Sequence, residues 1–278
     1  MSEERPVCNT CFHHCALSSG QTGYCRARGN VDGVIRAVNY GCLTSIAMDP
    51  IEKKPFAKFY SGSEILSVGS FGCNLRCPFC QNYTISQVDS LKASFRQMMP
   101  EELVNLALSI PDNLGLAFTY NEPLISYEYV IDCAKLLKEK DPSKKVVLVT
   151  NGTAEEKVIS EVLPYVDAMN IDYKGDAAFY RDELHGDLAS VRRTIEMVYA
   201  SCHLEVTCLV IPGKNDREDF IRELASYLAS LSPSIVLHLS RYFPRYQYDI
   251  EATPKADIKR LGKVAEQYLP SVFLGNMF

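Results

Sequence analysis

From residue 64 onward, short apolar runs alternate with longer stretches in which apolar residues return every three or four positions. The runs EILSVGSF (64–71), GLAFTY (115–120), KVVLVTNG (145–152), DAMNIDY (167–173), LEVTCLVI (204–211) and IVLHLSR (235–241) have the length and side-chain types of strands. Helical periodicity fills the gaps. PEELVNLALSI (100–110) opens on proline and acidic residues, and SYEYVIDCAKLLKEK (126–140) closes on lysines, as the helix dipole favours. REDFIRELASYLASL (217–231) and KADIKRLGKVAEQYL (255–269) repeat the pattern. Alternating strands and helices build a parallel sheet, and six such units predict an α/β fold, a partial (β/α)6 barrel.

Residues 1–60 lack this rhythm, so the chain reads as a cysteine-rich N-terminal extension, 1–60, followed by the barrel, 61–278. Cys8, Cys11, Cys15 and Cys25 are spaced C-x2-C-x3-C-x9-C, and Gly20 and Gly23 are available for the tight turns such a loop needs. A segment this short and this poor in apolar periodicity cannot bury a core alone, which makes a metal staple the natural reading. Four thiolates complete a tetrahedral shell. The spacing suits structural zinc and a second iron–sulfur cluster, with a metal-free loop as the third reading. Either His13 or His14 could replace one cysteine, but adjacent side chains point apart, so not both.

Composition narrows the class. The 278 residues are 47% hydrophobic and 23% charged, enough for one sizeable core or two modest ones. Eleven cysteines behind a polar start, MSEERPVCN, predict reduced thiols, metal ligation and a cytoplasmic location rather than disulfides. No apolar run reaches the ~18 residues of a membrane span, and a net charge of −5 leaves no footprint for nucleic acid. Neither partner is expected. Cys42, Cys133, Cys202 and Cys208 are isolated and read as small core residues.

Loops leaving the carboxyl ends of barrel strands build active sites, so unusual polar residues should follow each run. The cluster of cysteines follows the first, and Asn121 and Glu122 follow the second. Thr150, Asn151 and Gly152 end the third, Asp172 and Lys174 the fourth. Asn215 and Asp216 come after the fifth, and His238 with Arg241 closes the sixth. His238 also reads as an ordinary packed strand-end histidine. The aromatic and basic stretch SRYFPRYQYD (240–249) either lines a peptide-binding rim or caps the last strand.

The most informative stretch is GSFGCNLRCPFCQN, with Cys73, Cys77 and Cys80 in eight residues. Three thiolates are one fewer than a 4Fe-4S cluster needs, which leaves one iron open to a small molecule. An open metal position marks catalysis, as it does at zinc. A zinc loop borrowing a distant fourth ligand is the alternative.

This C-x3-C-x2-C order with Phe79 before the last cysteine resembles the signature of radical S-adenosylmethionine (SAM) enzymes. With TYNEP (119–123), VTNG (149–152), IDYKG (171–175), VIPGKND (210–216) and FLGN (273–276), nearly the whole chain resembles the pyruvate formate-lyase activating enzyme group. The four-cysteine start and LTSIAMDPIEKKPF (43–56) are similar to its AmmeMemoRadiSam-system branch. The sequence ends on FLGNMF (273–278), where that branch would lead one to expect further cysteines.

The resemblance implies a radical SAM barrel in which Cys73, Cys77 and Cys80 hold the cluster and Phe79 lies beside the adenine. Glu122 would take the SAM amino group, although Tyr120 and Asn121 replace the two glycines of the family motif. Asp172 and Lys174 match the D-x-K pair near SAM, or form a simple exposed ion pair. Asn151, Asn215 and His238 complete the expected cofactor contacts. Val149 stands where activating enzymes often carry an Asp that helps bind a monovalent cation, so that site does not carry over.

The implied chemistry is reductive cleavage of SAM to a 5'-deoxyadenosyl radical, fed by a flavodoxin- or ferredoxin-type reductant, followed by hydrogen abstraction. A protein or peptide substrate is expected. Activation of a glycyl radical enzyme is the leading form, and radical modification of another protein, a peptide or a small metabolite the alternative. A non-enzymatic iron–sulfur electron-transfer or sensing module is the third reading.

Overall fold

A computed structural model describes residues 5–277; Met1–Glu4, part of the polar start noted above, and Phe278 lie outside the described residues. All six expected strands form. In the main sheet they are β2 (Glu64–Gly69), β3 (Asn113–Phe118), β4 (Lys145–Thr150), β5 (Ala168–Asp172), β6 (His203–Val210) and β7 (Val236–Arg241). Two further strands of this sheet were not expected, nor were two small two-stranded sheets outside it, Arg28–Val31 with Val34–Ala37 and Cys42–Leu43 with Arg96–Gln97. Ser45–Pro50, here β1, pairs antiparallel with β2, and Val272–Gly275, here β8, pairs parallel with β7.

The strand order β1 to β8 follows the chain without a crossover, and every pairing from β2 to β8 is parallel. Each of β2 to β7 leads into helix, so the barrel has six strand–helix units and a closing strand. Because β1 and β8 are the two ends of the order, the barrel stays open at that seam. β1 belongs to the stretch counted with the extension, so the segment 1–60 also supplies the first strand of the sheet.

The helices α1 (Pro100–Ser109), α2 (Tyr127–Lys140), α6 (Glu218–Leu231) and α7 (Lys255–Ala265) lie where periodicity placed them, ending a few residues early at most. Besides a single turn at Tyr83–Ser86, three more among the described residues, α3 (Glu156–Val162), α4 (Ala177–Asp182) and α5 (Leu188–Val198), were not read from the sequence. The caps of α4 and α5 are legible afterwards. Asp176 accepts from the Phe179 amide and Asp187 from the Ser190 amide, both at 2.9 Å, satisfying donors that a helix start leaves free.

The barrel interior is filled from below by residues 51–59. Ile51, Phe56 and Phe59 pack with Ile65, Ala117, Val147 and Ala168 in one buried cluster. Backbone groups of the same segment are also fastened inward, with the Pro55 carbonyl accepting from Asn170 Nδ2 at 2.8 Å. This plug confines the open space of the barrel to its upper half.

The extension is fixed to the sheet by a few strong contacts. Arg28, nearly buried, bonds both carboxylate oxygens of Glu128 on α2 at 2.6 and 2.7 Å. Gly72, at φ +87°, lets the loop after β2 approach the extension so closely that a Cβ there would stand 2.5 Å from the Cys25 carbonyl oxygen. No helix among the described residues is long and apolar enough to cross a membrane.

Candidate active site at the carboxyl rim of the sheet

The loop after β2 turns sharply because its own groups hold it. The Cys73 amide donates to the Cys25 carbonyl at 3.2 Å, the Arg76 amide to Leu184 at 2.9 Å, and the Cys80 amide to Cys77 at 3.2 Å. Leu75 is buried in the core beneath. Between the cysteines, Asn74 is clamped by Thr153 Oγ1 at 2.8 Å and Asn151 Nδ2 at 2.9 Å, which ties the loop to the end of β4. The result places Cys73, Cys77 and Cys80 on one wall of a cavity of about 540 Å³.

The thiols ionise poorly alone. Burial, then the neighbouring thiol and Glu122 charges, push Cys73 well above the usual range. Burial pushes Cys77 up to about 12, against the pull of the nearby Lys174 ammonium. Such thiols become thiolates only if a metal centre supplies positive charge. Among the described residues no three His, Cys, Asp or Glu side chains already form a ready metal-binding group. The donor set nonetheless fits an iron–sulfur cluster in its chemistry: three sulfurs on one cavity wall, and open space beside them.

The same cavity is lined by Glu122, Asn151, Asp172 and Lys174. Glu122 is buried, and accepts from the Leu124 amide at 2.9 Å, Thr150 Oγ1 at 2.7 Å and the Asn151 amide at 2.7 Å. Burial outweighs these bonds and lifts its carboxyl to about 7. A ligand ammonium would complete its shell. Asp172 and Lys174 pair at 2.6 Å. Burial works against the Lys174 charge, but Asp172 and Cys77 hold it above the usual lysine range. Phe79 lines the cavity, stacked on Phe179 with ring centres 6.1 Å apart.

Tyr120, which replaces a motif glycine, carries φ +71°, the left-handed backbone that glycine adopts without cost. Its hydroxyl donates to Asp49, which also pairs with the buried Lys54 at 2.8 Å. The loop thus keeps a glycine-type conformation with a side chain anchored below it.

Asn215 is corrected. It does not line the cavity; its side-chain amide donates to the Lys174 carbonyl at 2.8 Å and the Leu209 carbonyl at 2.9 Å, and its oxygen accepts from the Ile211 amide. With every group so engaged, it braces the Lys174 loop from behind. The stretch 240–249 is also resolved in position: Gln247 donates its amide to the Pro78 carbonyl at 2.8 Å and Tyr248 packs on Phe79, so it lies over the cysteine loop.

His238 does line the cavity, and beneath it lies a residue the sequence reading missed. Glu205 is wholly buried on β6 and accepts from His238 Nε2 at 2.5 Å, His203 Nε2 at 2.9 Å, and the amides of Ala57 and Lys58 at 2.9 and 2.8 Å. A charged residue inside the apolar run LEVTCLVI was the available signal, since a buried carboxylate survives only when fully bonded. Burial alone would push its pKa up, but these four donors outweigh it and hold the carboxyl at about 2.

A carboxyl depressed from 4.5 contributes stability that is fully present above that pH and lost as pH falls through about 2. Glu205→Gln should therefore flatten the thermal-stability profile between pH 5 and 2 and cost about 2–4 kcal/mol at neutral pH. Melting curves of both proteins across that range check it. Equal slopes would contradict the assignment.

In the extension, Cys8, Cys11, Cys15 and Cys25 line one small cavity with His13 and His14. Burial pushes Cys11 up to about 12 and raises Cys25. Four sulfurs facing one space suit a closed metal site. The two histidines have other partners: His13 bonds the Asn74 carbonyl at 2.9 Å, and His14 pairs with Glu155 at 3.5 Å. Of the isolated cysteines, Cys42, Cys133 and Cys208 are buried and Cys202 is half-buried.

Comparison with known proteins bears on this arrangement. A family model described as Radical SAM superfamily matches residues 67–225. An uncharacterized protein of Methanocaldococcus jannaschii is 36% identical over 281 residues, covering 100% of this chain and 83% of that protein. Among solved structures, a domain of pyruvate-formate lyase-activating enzyme from Bacteroides vulgatus aligns with a TM-score of 0.51 at 21% identity, over 58% of this chain and 99% of that one. Streptococcus suis SuiB bound to precursor peptide SuiA aligns with a TM-score of 0.58 at 14% identity, over 81% of this chain and 51% of that one. At such identities the two structures share the fold alone.

Proposed function

Because the chain belongs to the radical SAM superfamily, we propose that it cleaves SAM reductively and uses the product radical to abstract hydrogen from a protein or peptide, with activation of a glycyl radical enzyme as the specific case. What carries the reading is one observation: the three thiols of Cys73, Cys77 and Cys80 share a single cavity with Glu122, Asp172 and Lys174. When bound, a 4Fe-4S cluster passes one electron from a reductant to the SAM sulfonium, giving methionine and a 5'-deoxyadenosyl radical.

The chain's own residues bind and orient the cofactors. Cys73, Cys77 and Cys80 are the cluster ligands. Glu122 takes the amino group of SAM, Lys174 the carboxylate or ribose with Asp172 as counter-charge, and Asn151 positions both Cys73 and Asn74. Phe79 offers a flat apolar face for the adenine. Asn215 keeps the Lys174 backbone in place. Tyr248 packs against Phe79 and supports that ring. Cys8, Cys11, Cys15 and Cys25 hold zinc or a second cluster, and a flavodoxin- or ferredoxin-type protein delivers the electron.

The activation reading draws on the group resemblance, and the peptide-bound SuiB supports a macromolecular substrate only by likeness of fold. Anaerobic mixtures of the reconstituted protein, SAM, reductant and glycyl radical enzymes of the host test it. A glycyl doublet in the electron paramagnetic resonance (EPR) spectrum is expected with one of them. 5'-Deoxyadenosine without any such doublet would remove activation and leave radical modification of another substrate.

A further inference from the structure

Apart from His238, which the sequence also offered as a cofactor contact, the cavity residues assigned to the cofactor occupy the wall built by β2 to β5. The opposite wall, from β6 to β8, carries Thr207, Leu209, His238, Ser240, Gly275 and Asn276. Among these, His238 is the one titratable side chain. Its ring is fixed from two directions: Nε2 bonds Glu205 at 2.5 Å, and Phe273 stacks on it with centres 5.6 Å apart and planes 25° from parallel.

Glu205 cannot itself serve a ligand. One oxygen takes His238 and an amide, the other takes His203 and the amides of Ala57 and Lys58, and the carboxylate is wholly enclosed. Its bonds leave it one outward effect, which is to hold His238 with Nε2–H pointing down. Nδ1 of the same ring has no hydrogen-bond partner among the described residues, and the ring belongs to the lining of the cavity. An imidazole so clamped leaves one nitrogen free for a ligand in this half of the barrel. Charged groups near it include Glu205 below, His203 across that carboxylate, and Asp172, in register with His238 through Thr207; Glu52, Lys53 and Lys174 line the same cavity.

We propose that His238 is a substrate-contacting catalytic residue whose Nδ1 hydrogen-bonds a carbonyl or carboxylate oxygen adjacent to the C–H bond that is broken, with Glu205 as its positioning residue. This rests on the radical reading above and adds the class of substrate: an acyl compound attacked at the carbon next to its oxygen-bearing carbon. Donation from Nδ1 while Nε2–H stays on Glu205 needs hydrogen on both ring nitrogens, and Glu205 supplies the counter-charge for that form in place.

The step balances simply. The substrate C–H bond breaks homolytically, and the hydrogen atom with its one electron forms a new C–H bond at the 5' carbon. The other electron stays on the substrate carbon and delocalises onto the neighbouring oxygen, where the donated hydrogen bond gains strength as density develops. No proton is transferred from His238. A glycine residue, flanked by its own carbonyl, belongs to this class, as does a free carboxylic acid.

The test uses holoprotein loaded with SAM and kept unreduced, carrying 15N-labelled histidine, with the His238 resonances assigned through His238→Gln. Propionate is titrated against propylamine and against chloride at equal ionic strength. A saturable shift of His238 Nδ1 toward the protonated form with propionate alone is expected, and its loss in Glu205→Gln assigns the positioning role. Should that variant not fold, His203→Gln, which removes one donor from Glu205, is expected to weaken the shift at least several-fold. No shift, or the same shift with all three additives, overturns the inference. 5'-Deoxyadenosine formed by the same preparation on reduction is measured in parallel. Its absence would defeat the radical reading, whereas its presence beside an unresponsive His238 defeats the oxygen site alone.

Discussion

Replacing Cys77 with alanine is expected to lower 5'-deoxyadenosine formation from SAM by at least about 10³-fold, to the level of a cluster-free control. Three thiolates are the minimum that leaves one iron open; two leave a second iron without a protein ligand. Cys77 is 8% exposed and sits on the cavity wall, so alanine removes a ligand and little packing. The iron content after reconstitution should fall with the activity, while the melting temperature of the unreconstituted protein stays within a few degrees. Cys133→Ala is the contrasting control. That cysteine is fully buried on α2, far in the helix layer, and its loss should cost stability and leave 5'-deoxyadenosine formation intact. If the Cys77 variant kept its iron and its activity, the cysteine loop would have another role.

The second large effect is structural. Gly115, at φ +155°, begins the buried part of β3, and a Cβ built there would stand 1.9 Å from the Lys145 carbonyl oxygen and 2.6 Å from the Lys145 nitrogen. Both are backbone atoms of the neighbouring strand, so no side chain can swing aside. The glycine also lies beside an irregular step in the pairing of β2 and β3, where Asn113 Oδ1 accepts from the Leu66 amide at 2.9 Å and the Gly115 amide at 3.2 Å. Gly115→Ala must part β3 from β4 in the middle of the sheet, at a cost above about 4 kcal/mol, and should leave little folded protein at 37 °C. Gly213→Ala shares a positive φ, +70°, but has open space around the new methyl. It should cost about 1 kcal/mol, the backbone term alone. Thermal melts of the two variants separate steric exclusion from backbone preference; similar losses would contradict the close approach.

The contrast between these two glycines also marks what the sequence reveals. β2 to β7 were legible because a parallel strand buried on both faces reads as an unbroken apolar run. β1 was not, since SIAMDP is a half-exposed edge strand that ends on proline. β8 has four residues only. α5 was hidden by its arginines and glutamate, which sit on its exposed side while Val191, Thr194, Ile195 and Val198 face inward.

The candidate site was legible where chemistry needs rare residues. Cysteines at fixed spacing, Glu122, and the Asp172–Lys174 pair announced themselves, and the fold brings them to one cavity. Asn215 misled because a polar residue at a strand end serves equally well as a loop brace. Glu205 escaped notice because attention went to the strand ends, while this carboxylate works from the middle of β6, joined to a plug segment about 147 positions earlier in the chain. Such long-range partners are set by the fold and leave no local trace beyond an acid among apolar neighbours.

The central claim is that an open iron at Cys73, Cys77 and Cys80 receives SAM. EPR of the reduced, reconstituted protein with and without SAM tests it most directly. The account predicts a 4Fe-4S signal whose g-values and line shape change on adding SAM, because a new ligand meets the open iron. An intact cluster signal that SAM leaves unchanged would contradict it.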